Sequence, residues 1–175
     1  MTTSRRDQTT RRILDGAAAT FAKGGYAATS MEEIAAAAGV SKLLLYRDFA
    51  GKRELYRAVL ARTQEKLTAR VESYASNESL RSVLAVARAD PDGFTLLYRH
   101  AAREPEFAAY ANTVTDEFER MAERILRDVE PDRVLRRWAA EMTVTITFQA
   151  IIAWLEHGDP DRDDEFFERL LAIAR

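Results

Sequence analysis

Residues 31–49 read MEEIAAAAGVSKLLLYRDF. The stretch holds two short helical patterns joined by a tight turn. Ser30 stands before the first pattern and Glu33 lies three residues on. That pair fits a capping box, in which the hydroxyl accepts from the Glu33 amide and the carboxylate reaches back. Gly39 closes the first helix and suits a turn that needs positive φ. Ser41 is an N-cap candidate for the second helix. Two short helices about a glycine turn make a helix-turn-helix. That plan needs a small residue where the helices cross, and Ala35 is one. It also needs apolar pins into a core, and Ile34, Val40, Leu45 and Phe49 supply them.

The three leucines can be sorted by angle. With Leu45 at 0°, a turn of about 100° per residue puts Phe49 near 40° and Ser41 near −40°. The buried face therefore centres on Leu45. Leu43 and Arg47 fall about 160° away on either side, and Leu44 and Tyr46 flank at about 100°. Leu43 and Arg47 face outward together. In a major groove, leucine can touch a thymine methyl and arginine can bond guanine O6 and N7.

Working outward, nearly every segment reads as helix. Ile13, Ala17 and Phe21, with Leu14 and Ala18 beside them, mark a helix that ends at Gly24-Gly25. A longer helix starts at Lys52, with Leu55, Val59, Leu67 and Val71 on one side. Asn77 or Ser79 opens another, carrying Leu80, Val83, Leu84 and Ala87. All four prolines follow a carboxylate: Asp90-Pro91, Glu104-Pro105, Glu130-Pro131 and Asp159-Pro160. Proline and acid both suit a first helical turn, so these predict four helix starts. Residues 143–148 alternate like a strand, but no neighbouring segment offers a pairing partner, and helix is expected.

The chain has 175 residues and no cysteine, which excludes disulfides and thiolate metal sites. Residues 1–57 carry 10 Lys and Arg against 6 Asp and Glu, a net of +4. Residues 58–175 carry 16 against 22, a net of −6. That imbalance points to an anionic partner for the first part. The opening MTTSRRDQTTRR has no apolar segment behind it, so no secretory signal is expected. The longest run without charge, Met142 to Leu155, is 14 residues. A membrane span needs about 18, so no membrane partner is expected and the cytoplasm is the expected location. His100 and His157 are the only histidines and lack metal-ligand spacing. No phosphate-binding glycine loop or acid–base pair stands out. Neither an enzyme, a metal site nor a cofactor is expected.

Residues from about 10 to 60, and especially 29–60, TSMEEIAAAAGVSKLLLYRDFAGKRELYRAVL, resemble the DNA-binding domain of the tetracycline-repressor (TetR) family of bacterial regulators. The likeness lies in the alanine-rich helix, Gly-Val-Ser-Lys, Leu-Tyr and Phe, and Lys shortly before a second Leu-Tyr. It covers about the first third of the chain. The resemblance implies an all-α fold of about nine helices. A three-helix DNA-binding domain would occupy residues 1–51, and a helical effector-binding and dimerisation domain residues 52–175. It implies DNA contacts by Thr29, Ser30, Lys42, Tyr46 and Lys52, with Arg5, Arg6, Arg11 and Arg12 as a basic arm; Ser41, Leu43, Leu44 and Arg47 join the candidate contacts from their place on the second helix. Leu43 and Leu44 stand where the family often has small or polar residues. Asp48 stands where a neutral residue is common, and it would repel phosphate unless Arg47 or Lys52 pairs with it.

In the acidic remainder, Phe94, Tyr98, Phe118, Met121, Trp138, Met142 and Phe148 are candidates for an effector pocket. Ile151, Trp154, Leu155, Phe166, Phe167 and Leu170, with Ile152 and Ile173, are candidates for a two-fold interface. The leading reading is a dimeric, ligand-responsive, sequence-specific DNA-binding regulator. It would be a repressor released from a palindromic operator by a small-molecule effector. The alternative is an all-helical interaction or ligand-binding protein with a vestigial helix-turn-helix.

Overall fold

The computed structural model describes residues 5–69 and 78–173. Val71 and Asn77 lie outside the described residues, as do the side chains of Ser79, Leu80 and Ile173. Among the described residues the fold is all-α. In chain order the helices are α1 (Arg5–Ala28), α2 (Met31–Ala38), α3 (Lys42–Asp48), α4 (Lys52–Thr68) and α5 (Glu78–Ala89). They continue as α6 (Pro91–Thr95), α7 (Ala108–Ile125), α8 (Arg133–His157) and α9 (Asp163–Ile173). Residues 143–148 are helical, within α8.

The punctuation follows the local chemistry. Gly25 breaks α1 with φ 74° and ψ 166°, a region open in practice to glycine alone. Gly39 ends α2 in the left-handed region, with φ 62° and ψ 40°. Two of the acid–proline pairs start helix directly: α6 begins at Pro91, and Asp159 caps a short helical turn beginning at Pro160. The other two act earlier than expected. Pro105 lies in a turn before α7, and α8 is capped by Asp132, one residue after Pro131.

The chain divides into two compact units, Met1–Gln64 with Asp92–Tyr110, and Glu65–Pro91 with Ala111–Arg175. The sequence boundary at residue 51 therefore falls inside the first unit. Leu55, Tyr56, Val59 and Leu60 of α4 are buried, and Phe107 lies 4.5 Å from Tyr56, ring centre to ring centre. Phe21 and Tyr26 complete this aromatic group, each 4.9 Å from Tyr56. The second unit packs α5, α8 and α9, with Phe118 of α7 meeting Phe148 of α8 edge to face at 5.3 Å. By length and composition α8 could cross a membrane. Ala140, Val144, Phe148, Ile151 and Ile152 bury one of its faces inside this unit.

Candidate nucleic-acid interface

The reading helix is held from beneath. Leu45 is fully buried and Phe49 nearly so, while Leu43 is 82% exposed. Leu44 is intermediate, and Tyr46 and Arg47 face solvent. Ser41 caps α3 by accepting from the Leu44 amide at 3.2 Å. Ser30 accepts from the Glu33 amide at 3.2 Å, and Glu33 accepts from the Ser30 amide at 2.7 Å, completing the capping box. That backbone hydrogen bond holds the Glu33 carboxyl below its usual range.

The structure brings Lys42, Leu43, Tyr46 and Arg47 together on one solvent-facing surface of α3. The Lys42 ammonium pairs with Glu32 of α2, which keeps the Glu32 carboxyl low and the ammonium high. It also lies 5.8 Å from the Tyr46 ring centre. Arg47 clamps its neighbour: Nε donates to Asp48 Oδ1 at 2.9 Å and Nη2 donates to Oδ2 at 3.1 Å. The Asp48 carboxyl is pulled below its usual range, first by this hydrogen bonding. The condition set by the sequence is met, because the carboxylate is paired. Arg5, Arg6 and Thr9 of α1 join Leu44 and Arg47 around an open cleft of about 550 Å³. Two members of the expected basic arm thus lie beside the reading helix.

Three other expected contacts bond to backbone carbonyls within the chain. Thr29 is only 4% exposed, and its hydroxyl donates to the Gly25 carbonyl at 2.8 Å, so the side chain closes the end of α1. Lys52 donates to the Ala27 and Thr29 carbonyls at 3.1 and 2.9 Å, with its ammonium 4.7 Å from the Tyr26 ring centre. Arg12 donates to the Ala38 and Gly39 carbonyls at 2.9 and 2.8 Å and caps α2. In each case the side chain donates to backbone carbonyls at or next to a helix end, where such groups lack intrahelical partners.

The sequence reading also missed the glycine that sets the crossing of α1 and α2. A Cβ on Gly16 would lie 2.7 Å from the Ala38 nitrogen and 2.9 Å from its Cα. Ala35, expected at the separate crossing of α2 and α3, is buried.

Residues 13–59 match the family model described as bacterial regulatory proteins, tetR family. The chain is 32% identical over 169 residues to the HTH-type transcriptional repressor Rv1474c of Mycobacterium tuberculosis, covering 87% of this chain and 85% of the relative. The chain belongs to the tetR family. It is also 29% identical over 180 residues to the HTH-type transcriptional activator FasR of Mycolicibacterium smegmatis, spanning 97% of this chain and 82% of that protein. A TetR-like transcriptional regulator from Rhodococcus sp. RHA1 shares the fold, with a TM-score of 0.79 at 20% identity. The match covers 99% of this chain and 96% of that one. This TetR-family protein is a DNA-binding transcriptional regulator, and its helix-turn-helix is α2 and α3.

The remaining candidates in the TetR-family chain are distributed unevenly. Phe94 and Tyr98 belong to the first unit and lie 4.9 Å apart, ring centre to ring centre. Phe118, Met121 and Phe148 are buried in the second unit. Trp138 is 60% exposed and Met142 36%, so neither is enclosed within the chain. Ile151, Phe167 and Leu170 are buried in the second unit's own core. Trp154 stacks on Phe166 with ring centres 4.9 Å apart, and both are half-buried with Leu155.

Proposed function

We infer that this regulator acts as a homodimeric repressor, released from a roughly palindromic operator by a small-molecule effector. One observation carries the reading: α3 holds Leu45 as its anchor and presents Lys42, Leu43, Tyr46 and Arg47 as one exposed surface. That surface combines an apolar contact for thymine methyls with cations for guanine and phosphate. Ser30, Ser41 and Leu44 support the same face at its edges.

The dimer surface fits the exposed side of α8 better than Ile151, Phe167 and Leu170, which are buried within the unit. Val134, Leu135, Trp138, Met142 and Ile146 lie exposed along that helix. Four of them repeat every fourth residue, so they share one side of the helix. An exposed apolar stripe of this length suits a self-complementary interface. The effector site falls to Phe118, Met121 and Phe148 between α7 and α8. Ligand there would favour a conformer with misplaced reading heads, and linkage requires operator DNA to weaken ligand binding by the same factor.

Selection of the purified protein against a random duplex library, at two salt concentrations, tests the reading. Enrichment of an inverted repeat with half-sites about 34 Å apart, or a multiple, is expected. Salt-sensitive binding that enriches no sequence leaves only phosphate contacts and defeats the operator reading. Trp138→Asp should turn the dimer into a monomer in sedimentation and abolish retention of the full repeat. A dimer that survives this change moves the interface away from α8.

A further inference from the structure

We propose that Asp48 is a specificity-determining residue of the reading helix, holding Arg47 side-on so that its guanidinium is offered end-on to one guanine. The inference rests on α3 as the base-reading element and adds a role for a residue that looked unfavourable there.

The geometry assigns the roles within the pair. The Asp48 side chain is 5% exposed and the Arg47 side chain 56%. The carboxylate is therefore the anchored partner and the arginine the presented one. A guanidinium has five N–H donors in a rigid planar fork. Asp48 takes one edge, through Nε at 2.9 Å and Nη2 at 3.1 Å. The other edge, made by Nη1 and the second Nη2 hydrogen, lies at the far end of the same plane. Two parallel N–H groups on that edge match guanine O6 and N7. The arginine can keep its carboxylate and take a base together.

This arrangement removes two costs. A free arginine loses rotamer freedom on docking, and a clamped one has lost it already. An unpaired carboxylate beside phosphate repels it, whereas the Arg47–Asp48 pair is neutral as a unit. Arg5 and Arg6, on the cleft that Arg47 also lines, supply the local positive field in its place. The Arg6 charge acts on Asp48 in the same sense as Arg47, favouring the ionised carboxylate.

The experiment repeats the library selection with Arg47→Ala, Asp48→Asn, Asp48→Ala and the double variant Arg47→Ala/Asp48→Asn, after thermal melts confirm that each folds. The wild type should enrich a repeat with one guanine per half-site that Arg47→Ala no longer prefers. Asp48→Asn and Asp48→Ala should each weaken preference for that guanine by about tenfold. Every other position should be unchanged, and low-salt binding to random duplex should be equal or tighter. In the double variant the asparagine should add nothing, because both changes act through one contact. Guanine preference retained in both Asp48 variants overturns the proposal, as does a uniform affinity change across all positions. If Arg47→Ala leaves every base preference intact, Arg47 reads no base and the proposal falls while the operator reading stands. If the wild type itself enriches nothing, the operator reading falls and takes the proposal with it.

Discussion

Lys52 shows how a cation in a DNA-binding head can be committed to the fold. Its ammonium closes two carbonyls at the end of α1 and rests against the Tyr26 ring. Charge-assisted hydrogen bonds to otherwise unmet carbonyls contribute more than surface ion pairs. Lys52→Met keeps the aliphatic stem and removes the donor. It should lower unfolding free energy by about 1–2 kcal/mol in urea titrations. The salt dependence of DNA binding should keep its wild-type slope, and a slope reduced by about one would restore Lys52 as a phosphate contact. Gly25 carries a second residue-level commitment. At φ 74° and ψ 166° any Cβ is strained although the space around it is open. Gly25→Ala should cost about 1–3 kcal/mol by thermal or urea unfolding. A neutral result would mean that the turn re-forms with negative φ and that Thr29 has lost its partner at the Gly25 carbonyl.

Helix crossings make α2 and α3 a rigid reader, and the crossing of α1 with α2 depends on Gly16. A Cβ at that position meets backbone atoms of Ala38 at 2.7 and 2.9 Å, and backbone cannot swing aside as a side chain can. Gly16→Val should cost about 1–3 kcal/mol through overpacking. It should also displace α2, and α3 with it, so operator affinity should fall further than stability alone explains. Equal effects on melting and on DNA binding would show that α3 is positioned independently of this crossing. The sequence made part of this legible. The outward Leu43 and the buried Leu45 follow from helical angle alone, because periodicity is a local property. The caps at Ser30, Ser41 and Gly39 follow from side-chain chemistry within four residues. The backbone bonds of Arg12 and Lys52 were not legible, because their partners lie 23 to 27 residues away. No periodic pattern names a remote carbonyl. Gly16 escaped notice for the same reason: its role is set by the approach of a distant backbone.

Over the whole molecule, α8 shows where patterning loses its power. Both sides of this helix are apolar, so composition could not say which stripe faces inward. The buried side is Val144, Phe148, Ile151 and Ile152, and the exposed side holds Trp138, Met142 and Ile146. The sequence pattern therefore could not divide pocket residues from interface residues along this helix. The second unit draws α8 and α9 together through one carboxylate. Asp163 accepts from Arg88 of α5 at 2.7 and 3.1 Å and from the Trp154 indole nitrogen of α8 at 2.6 Å. The arginine, chiefly, and then the indole hold its carboxyl below the usual range, against an opposing cost of burial. A carboxyl with a depressed folded-state pKa adds stability that is fully present above its unfolded value, about 3.9. That stability is lost as pH falls through the folded value. Asp163→Asn should therefore cost about 1–3 kcal/mol at pH 7, because it also leaves Arg88 without its partner. Measured by urea unfolding from pH 7 to pH 3, the gap between wild type and variant should stay constant down to about pH 4 and then narrow. The narrowing comes from the wild type, which alone protonates this carboxyl, while the asparagine has no proton to gain. A gap that holds constant to pH 3 would mean that the ionised pair contributes nothing, and that packing of Trp154 against Phe166 is what α9 requires.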